Sequence, residues 1–200
     1  MMRWAFRYHR SGYGGLRLTA DEFFALPNDG HRYELLDGVV IMSPSPTPRH
    51  QTVALEIAAQ LYLHTRAGDR GVVLTETDVR LPPRTAGGQD IVYRPEICYL
   101  NSAKVAQIDS RIRTIPDLVV EVISPESRNY DTFTKRADYE RSGVSEYWII
   151  DPVDRAFTFL RLIGGRYVEA PYSEVEYASE VVSGFKLSLP PIRAVFTMFR

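Results

Sequence analysis

Cysteine is nearly absent from this sequence, since Cys98 is the only one among 200 residues. One cysteine cannot form an internal disulfide, which excludes the disulfide-stapled folds of small secreted proteins. Because Cys98 lies between Ile97 and Tyr99, we interpret it as a small core side chain rather than a reactive thiol. The sequence therefore predicts a protein of a reducing compartment, with the cytoplasm as its location.

An excess of charge is missing as well. The 24 Lys and Arg residues and the 25 Asp and Glu residues give a formal net charge of -1. A chain with this balance lacks the broad positive field of proteins that hold nucleic acid mainly by charge. Any nucleic-acid site must therefore be local.

Long apolar runs, repeats and low-complexity tracts are also lacking. No apolar run reaches the roughly 18 residues of a membrane-spanning helix, and the amino-terminal segment shows no signal-peptide pattern, so we expect no membrane partner. A length of 200 residues and a hydrophobic content of 44% suit one globular core. We predict a single domain over residues 1–200, with an N-terminal extension at 1–17 and a C-terminal hairpin region at 155–200.

Helix start signals occur early in the chain. Thr19 and Glu22 have the spacing of a capping box, which predicts a short helix directly after Thr19. Thr47 followed by Pro48 predicts the beginning of a long amphipathic helix that runs to about Arg66.

Extended patterns predict a sheet. The dipeptide Asp37-Gly38 separates apolar runs at about 32–36 and 39–43, which is typical of a hairpin turn. Further strands are expected in VVLTETDVRL, ICYL, DLVVEVIS and EYWIID, and in the hairpin AFTFLRLIGGRYVEA, which turns at Gly164-Gly165. This order predicts a central mixed β-sheet flanked by helices, of the α/β or α+β class, with DLVVEVIS near its centre and β-hairpins at both ends.

A carboxylate interrupts the most apolar of these segments. Glu121 lies within the run LVVEVI, which otherwise has the composition of a strand buried on both faces. An ionised carboxylate that is buried without a partner costs several kcal/mol, and a cation, a base or a proton is the usual remedy. The sequence therefore predicts a compensating group beside Glu121.

Two other carboxylates are candidate neighbours of Glu121. Asp117 shares its strand face but lies four residues away, which is about 13 Å along a strand and too far to share an ion. Glu96 precedes the segment ICYL and comes within shared reach if the two strands are neighbours. Two hard oxygen donors suit Mg²⁺, with Mn²⁺ as a substitute, and such an ion supports phosphoryl transfer.

Lys135 is a candidate for the fixed cation that such a site needs. It lies in a third predicted helix, which Asn129 or Asp131 is expected to cap and which runs to Arg141 before Gly143. A lysine in this place can orient a nucleophilic water or stabilise negative charge on a phosphate.

The chain resembles the Uma-two family of predicted endonucleases, which belongs to the restriction-endonuclease-like superfamily with the PD-(D/E)xK motif. The resemblance rests on YELLDG, SPSPTPRH, RPEICYL, LVVEVISPES and a lysine followed by YERSGVSEYWIIDP, which occur in this order. It implies a restriction-endonuclease-like core in which Glu96 stands for the motif's Asp and Glu121 for its D/E. It also implies that the backbone carbonyl of Val122 is a metal ligand and that Glu34 matches an acidic position of the core.

Two departures from the family pattern stand out. Glu96 occupies a position where the family more often has Asp, and it is longer by one methylene. Ile123 occupies the position of the superfamily's lysine, two residues after the acid. The resemblance implies that Lys135, fourteen positions after Glu121, supplies the lysine instead.

Structural interpretations remain open for the same residues. Glu121 can be half of a buried ion pair with Lys135 or Arg136, with no metal. The other open roles are solvated charges for Glu34, Glu96 and Lys135, core packing for Tyr139, and capping for His50, which also follows a loop that can border the cleft.

Three classes of function follow. The first is a Mg²⁺-dependent endonuclease that acts on DNA through Glu96, Glu121 and Lys135, and the resemblance makes a homodimer reasonable. The second is a catalytically inactive nuclease fold that binds nucleic acid or regulates a partner. The third is a structural oligomer that uses the tyrosine-rich segment RYVEAPYSEVEYASE as an interface.

Overall fold

The computed structural model describes residues 12–68, 71–108 and 112–199, so most of the predicted extension at 1–17 lies outside the described residues. Its helices are α1 (Ala20–Phe24), α2 (Pro48–Arg66), α3 (Ser102–Val105), a π-helical segment (Tyr130–Lys135) that continues into α4 (Arg136–Ser142), and α5 (Leu189–Met198). Its strands are β1 (Tyr33–Leu36), β2 (Val39–Met42), β3 (Val72–Thr75), β4 (Val79–Leu81), β5 (Ile91–Tyr93), β6 (Ile97–Leu100), β7 (Leu118–Val122), β8 (Glu146–Asp151), β9 (Ala156–Ile163), β10 (Arg166–Glu169), β11 (Glu176–Ala178) and β12 (Lys186–Ser188).

The larger sheet has the strand order β10-β9-β8-β7-β6-β3, and β7 lies inside it. This strand pairs antiparallel with β6 and parallel with β8, and the π-helical segment and α4 form the crossover between the parallel strands. Leu118, Val120 and Val122 pack with α2 and α5, whereas Val119 and Ile123 face a second core around Tyr139. The predicted mixed sheet flanked by helices is thus confirmed, and so is the buried, inner position of β7.

The smaller sheet has the order β2-β1-β5-β4. Its β1–β2 hairpin turns at Asp37 and Gly38, whose φ angles are 51° and 75°, as the tight-turn prediction requires. Strand β5 was not predicted, because three residues between turn segments give too little periodicity to recognise. It lies between β1 and β4 and brings Tyr93 to the interior.

The sequence suggested one strand in the segment VVLTETDVRL, and this prediction is wrong. The segment is divided into β3, which pairs with β6 in the larger sheet, and β4, which pairs with β5 in the smaller one. The chain turns at Glu76, where φ is 49°, a left-handed conformation that ends the extended run. The sequence also gave no signal for α3, β11 or β12, and α5 escaped recognition because Pro190 and Pro191 fall in its first turn, where proline is tolerated.

Two of the predicted caps are confirmed and the third is wrong. Thr19 forms the capping box with Glu22, and the Thr47 side chain accepts from the backbone N–H of His50 at 3.2 Å. Asn129 and Asp131 do not cap their helix, because the backbone is already helical at Asn129 and Asp131 lies within the π-helical segment. No helix of the described ranges is both long and apolar enough to cross a bilayer.

The start of β3 depends on a glycine. Gly71 has a φ of 94°, and a Cβ added there would lie 2.1 Å from the Leu100 carbonyl oxygen at the end of β6. Gly87 also has a positive φ, 75°, but a Cβ there would meet no atom within 4 Å. Substitutions at Gly71 and Gly87 can therefore distinguish the cost of backbone strain, which both share, from the cost of steric overlap, which only Gly71 has.

We expect Gly87→Ala to lower the free energy of unfolding by about 1 kcal/mol, the cost of a left-handed alanine. Gly71→Ala should cost at least about 2 kcal/mol more, since the chain must also move away from Leu100. Urea unfolding of both variants measures the difference. Equal losses would contradict the close packing of Gly71 on β6.

Candidate active site

A cavity of about 780 Å³ lies where the carboxyl end of β7, the first turn of α2, the π-helical segment and the β1–β2 hairpin meet. Its size is that of a pocket for a small molecule or a segment of a polymer. We call four acidic residues on its buried side, Glu34, Glu96, Glu121 and Asp131, the carboxylate cluster. Lys135 lies among them.

The register of the larger sheet brings Glu96 and Glu121 together. Ile97 pairs with Val120 on antiparallel strands, so Glu96 comes opposite Glu121 at the same edge. Both acids line the same cavity, and the Val122 N–H donates to Glu96 Oε2 at 3.3 Å. The predicted juxtaposition of the two acids is therefore present in the fold.

Lys135 connects three of the four acids. Its Nζ lies 2.9 Å from Glu121 Oε1, 3.0 Å from Glu34 Oε1 and 3.4 Å from Asp131 Oδ1. The rings of Tyr93 and Tyr130 lie 5.5 and 5.3 Å from the same nitrogen. The solvated role for Lys135 is thus wrong, because only 6% of its side chain is exposed.

Glu34 and Glu96 are also not the solvated charges that the structural interpretation allowed. The side chain of Glu34 is 4% exposed, and its Oε1 accepts from the backbone N–H of Arg94 at 2.8 Å. The side chain of Glu96 is 13% exposed. Of the two bases that were considered as partners for Glu121, Lys135 makes the contact.

The cluster carries more negative charge than its lysine can balance. Burial raises the pKa of Glu121 well above its ordinary value, and it raises the pKa of Glu96 as well. Burial likewise raises the pKa of Asp131, to about 6, although Lys135 opposes the change. Burial alone would lower the pKa of Lys135, but the carboxylates of Glu121, Glu34 and Asp131 outweigh it and raise that pKa. The site therefore favours an additional proton or cation.

His50 and Tyr139 both reach this pair of acids. The Tyr139 hydroxyl donates to Glu121 Oε1 at 3.1 Å. His50 Nε2 lies 3.4 Å from Glu96 Oε1, and His50 lines the same cavity as Val122, whose carbonyl is the predicted metal ligand. Burial lowers the pKa of His50, so the neutral imidazole is favoured there.

Asp131 is the site residue that the sequence reasoning missed, since it was considered only as a helix cap. The available signal was its spacing of four residues from Lys135 on one helix, which places the two side chains on the same face. Asp117, in contrast, was correctly kept apart from Glu121. Its carboxylate contacts Lys104 Nζ at 2.7 Å and accepts from the Asn101 N–H at 2.8 Å.

Within residues 12–68, 71–108 and 112–199, no group of three or more His, Cys, Asp and Glu side chains is arranged to hold a metal ion. The Lys135 ammonium group already occupies the space between Glu34, Glu121 and Asp131. An ion at this site must therefore depend on Glu96 and Glu121, with other ligands from the backbone or from water.

Comparisons with known proteins agree with this fold. The model of the Uma2 family, described as "Putative restriction endonuclease", matches residues 20–190, and the chain belongs to this family. A solved structure from Anabaena variabilis, described as "a putative nuclease belonging to DUF820", has a TM-score of 0.75 and 17% identity. The match covers 90% of this chain and 99% of that one, and at this identity it shows the shared fold. No curated protein matches significantly.

The raised pKa of Asp131 predicts a pH dependence of stability in the absence of divalent ions. The folded carboxyl group titrates near 6 and the unfolded one near 3.8, so the folded state holds more protons between these values. The contribution of Asp131 to stability is consequently largest below the lower value and is lost as the pH rises through the upper one, a change of up to about 3 kcal/mol.

An asparagine side chain does not titrate, so the substitution Asp131→Asn should reduce the fall of stability with rising pH. Urea unfolding in EDTA from acidic to neutral pH compares the two proteins. At the acidic end, where Asp131 is neutral, their stabilities should be similar, which controls for the change of side chain. Parallel curves over the whole range would contradict the buried, proton-binding environment of Asp131.

Proposed function

We propose that this protein is a metal-dependent endonuclease that hydrolyses phosphodiester bonds in DNA. The observation that carries the proposal is the surplus of buried carboxylates, Glu96 and Glu121 above all, at the bottom of a cavity whose wall contains arginines. Membership of a family described as restriction endonucleases supports it. A homodimer, which the family resemblance implies, stays a prediction.

The donors fit Mg²⁺ or Mn²⁺. Glu96 and Glu121 present hard carboxylate oxygens, and the Val122 carbonyl beside them adds a neutral one. Mg²⁺ commonly takes one or two protein carboxylates and keeps several waters, so a third carboxylate is not required. The ion would take the place of the proton that the burial of these two carboxyl groups favours. When bound, such an ion polarises a phosphate and lowers the pKa of a water.

Lys135 would supply the positive charge nearest to the reacting phosphate. Glu34 and Asp131 hold its ammonium group in place, and their charges keep it protonated. A protonated amine can orient the attacking water and stabilise the charge that develops on the phosphoryl oxygens. Ile123, at the position of the superfamily's lysine, lies in the core, which supports a lysine from the following helix.

Tyr139 and His50 would then be positioning residues. The Tyr139 hydroxyl fixes Glu121 Oε1, and this bond leaves less freedom for the carboxylate to rotate. The His50 ring lies beside Glu96, which would share the ion with Glu121, at 3.4 Å between Nε2 and Oε1. This arrangement holds ligands in place from behind, as the outer partners of metal ligands do.

The second candidate is a nuclease fold that binds nucleic acid without cutting it. One observation favours it: Lys135 contacts three of the four acids directly, so the cluster is partly neutralised without a metal. The two candidates differ in whether an ion binds and in whether a strand is cut.

Mg²⁺ should stabilise the folded protein. At about ten times its Kd, an ion that binds only the folded state raises the free energy of unfolding by about 1.4 kcal/mol. Glu96→Gln removes one ligand and should abolish this increment. Asp117→Asn is the matched control, because it removes a nearby carboxylate that contacts Lys104 instead, and it should keep the increment. Denaturant unfolding with and without Mg²⁺ measures all three proteins, and an unchanged wild type would favour the inactive fold.

Cleavage of supercoiled plasmid and of single-stranded DNA tests the catalytic roles. The wild type should cut in Mg²⁺ or Mn²⁺ and not in EDTA. Glu121→Gln and Lys135→Met should each lower the rate about a hundredfold or more, since each removes a charge at the reacting centre. Asp117→Asn should cut at a near-normal rate. Wild-type protein that is folded and binds DNA but never cuts it would overturn the proposal.

A further inference from the structure

Unpaired polar atoms concentrate at the cavity. Among the described residues, the buried side-chain atoms with no hydrogen-bond partner are Arg32 Nε, Arg49 Nε, His50 Nδ1, Tyr130 Oη, Ser142 Oγ and Arg193 Nε. The first four belong to residues that line the cavity, whereas Ser142 and Arg193 lie elsewhere. A buried donor without a partner costs about 1–3 kcal/mol, so its accumulation at one cavity points to a ligand that supplies acceptors.

One edge of the Arg32 guanidinium group suits an anion, and the ion pair that Arg32 forms with Glu76 does not use this edge. It directly precedes β1, and its Nη1 lies 3.2 Å from Glu76 Oε1. That contact does not use the edge formed by Nε and Nη2, and Nε has no partner in the described chain. This edge is the one that pairs side-on with two oxygens of a phosphate.

Arg49 provides a second group from another element. It lies in the first turn of α2, and its Nη2 donates to the Phe199 carbonyl while its Nε has no partner among the described residues. The first turn of this 19-residue helix, where the positive end of its dipole is located, lines the cavity. Arg94, the third arginine of the wall, is already engaged by Asp78, which its Nε contacts at 2.6 Å.

The two arginines therefore form a positive wall beside a negative floor. His50 follows Arg49 in the chain and lines the same cavity as Arg32. A phosphodiester strand suits a cavity with arginines on one part and carboxylates on another. One phosphate can approach the carboxylate cluster only with a cation, whereas the next phosphate can pair directly with guanidinium groups. A small carboxylate or a neutral ligand could contact one guanidinium group, but it would not place one charged group at the arginines and another at the carboxylate cluster.

We propose that Arg32 and Arg49 form a phosphate-binding subsite for the backbone phosphate next to the one that is hydrolysed. The proposal rests on the proposed function, because it takes a nucleic-acid strand as the ligand. It assigns to the β1–β2 hairpin and to the beginning of α2 the task of holding the strand, separately from the cutting residues.

Fluorescence anisotropy with a labelled single-stranded oligonucleotide in EDTA tests binding without cleavage. Arg32→Gln and Arg49→Gln should each weaken binding about tenfold, and each should reduce the magnitude of the slope of log K against log salt by about 0.7, the value for one phosphate contact on a single strand. Arg193→Gln is the matched control: Arg193 also has a buried Nε without a described partner, but it contacts Glu174 and Phe157 away from the cavity. It should bind like the wild type.

The conservative variants Arg32→Lys and Arg49→Lys guard against misfolding, because they keep the charge and should restore most of the salt slope. Inorganic phosphate serves as the competing source of the same chemistry: it should displace the oligonucleotide only at far higher concentration than an unlabelled strand does. Equal displacement would overturn a subsite for a strand in favour of one for free phosphate.

Unchanged affinity and salt slope in both glutamine variants would overturn the subsite, even if the wild type cuts DNA. If the glutamine variants lose binding as expected but the wild type never cuts DNA, the phosphate subsite stands and the proposed nuclease activity is rejected. A wild type that binds no oligonucleotide would reject the subsite. The two proposals thus fail in distinguishable ways.

Discussion

The contact of the Lys135 ammonium group with Glu34, Glu121 and Asp131 is the interaction on which the rest of the structure depends. It joins the smaller sheet through β1, the larger sheet through β7, and the crossover helix, all at one buried point. Removing one partner of such a buried group typically costs 3–5 kcal/mol, because the remaining charges lose their compensation. The lysine is therefore a structural link as well as a candidate catalytic group, and these two roles constrain each other.

The fold explains why the site lies where it does. The register of β6 against β7 sets Glu96 beside Glu121, and the parallel pairing of β7 with β8 requires a crossover that returns over the sheet. Part of that crossover is π-helical, a rare conformation that is often found at functional sites. Here it turns Asp131 and Lys135 inward together. The carboxylate cluster contains more acidic than basic groups, whereas the cavity wall provides arginine donors. This division of charge suits a phosphodiester strand that has one phosphate at a bound cation and the next at the arginines.

Much of this could be predicted from the sequence. The buried position of Glu121, the mixed sheet, the β1–β2 hairpin and the exclusion of Asp117 follow from alternation, turn chemistry and distance along a strand, which are local properties. Glu96 and Lys135 were candidates from their places in the sequence, the family resemblance assigned them motif positions and added Glu34, and the chain's membership of that family is shown. The sequence could not separate β3 from β4, since a single left-handed residue, Glu76, divides them. Asp131 was missed although its spacing of four residues from Lys135 was visible in the sequence, because it was interpreted only as a helix cap. The unpaired donors of Arg32 and Arg49 depend on tertiary contacts that no pattern encodes.

Anomalous diffraction from crystals soaked with Mn²⁺ would show directly whether Glu96 and Glu121 bind a metal ion. We expect one peak at coordination distance, about 2.0–2.2 Å, from carboxylate oxygens of Glu96 and Glu121, with the Val122 carbonyl beside it and Lys135 still paired with Glu34. A fully soaked crystal with no peak at these acids, and with Lys135 unmoved between Glu121 and Asp131, would contradict it. The cluster would then be a structural ion-pair network rather than the metal site of a nuclease.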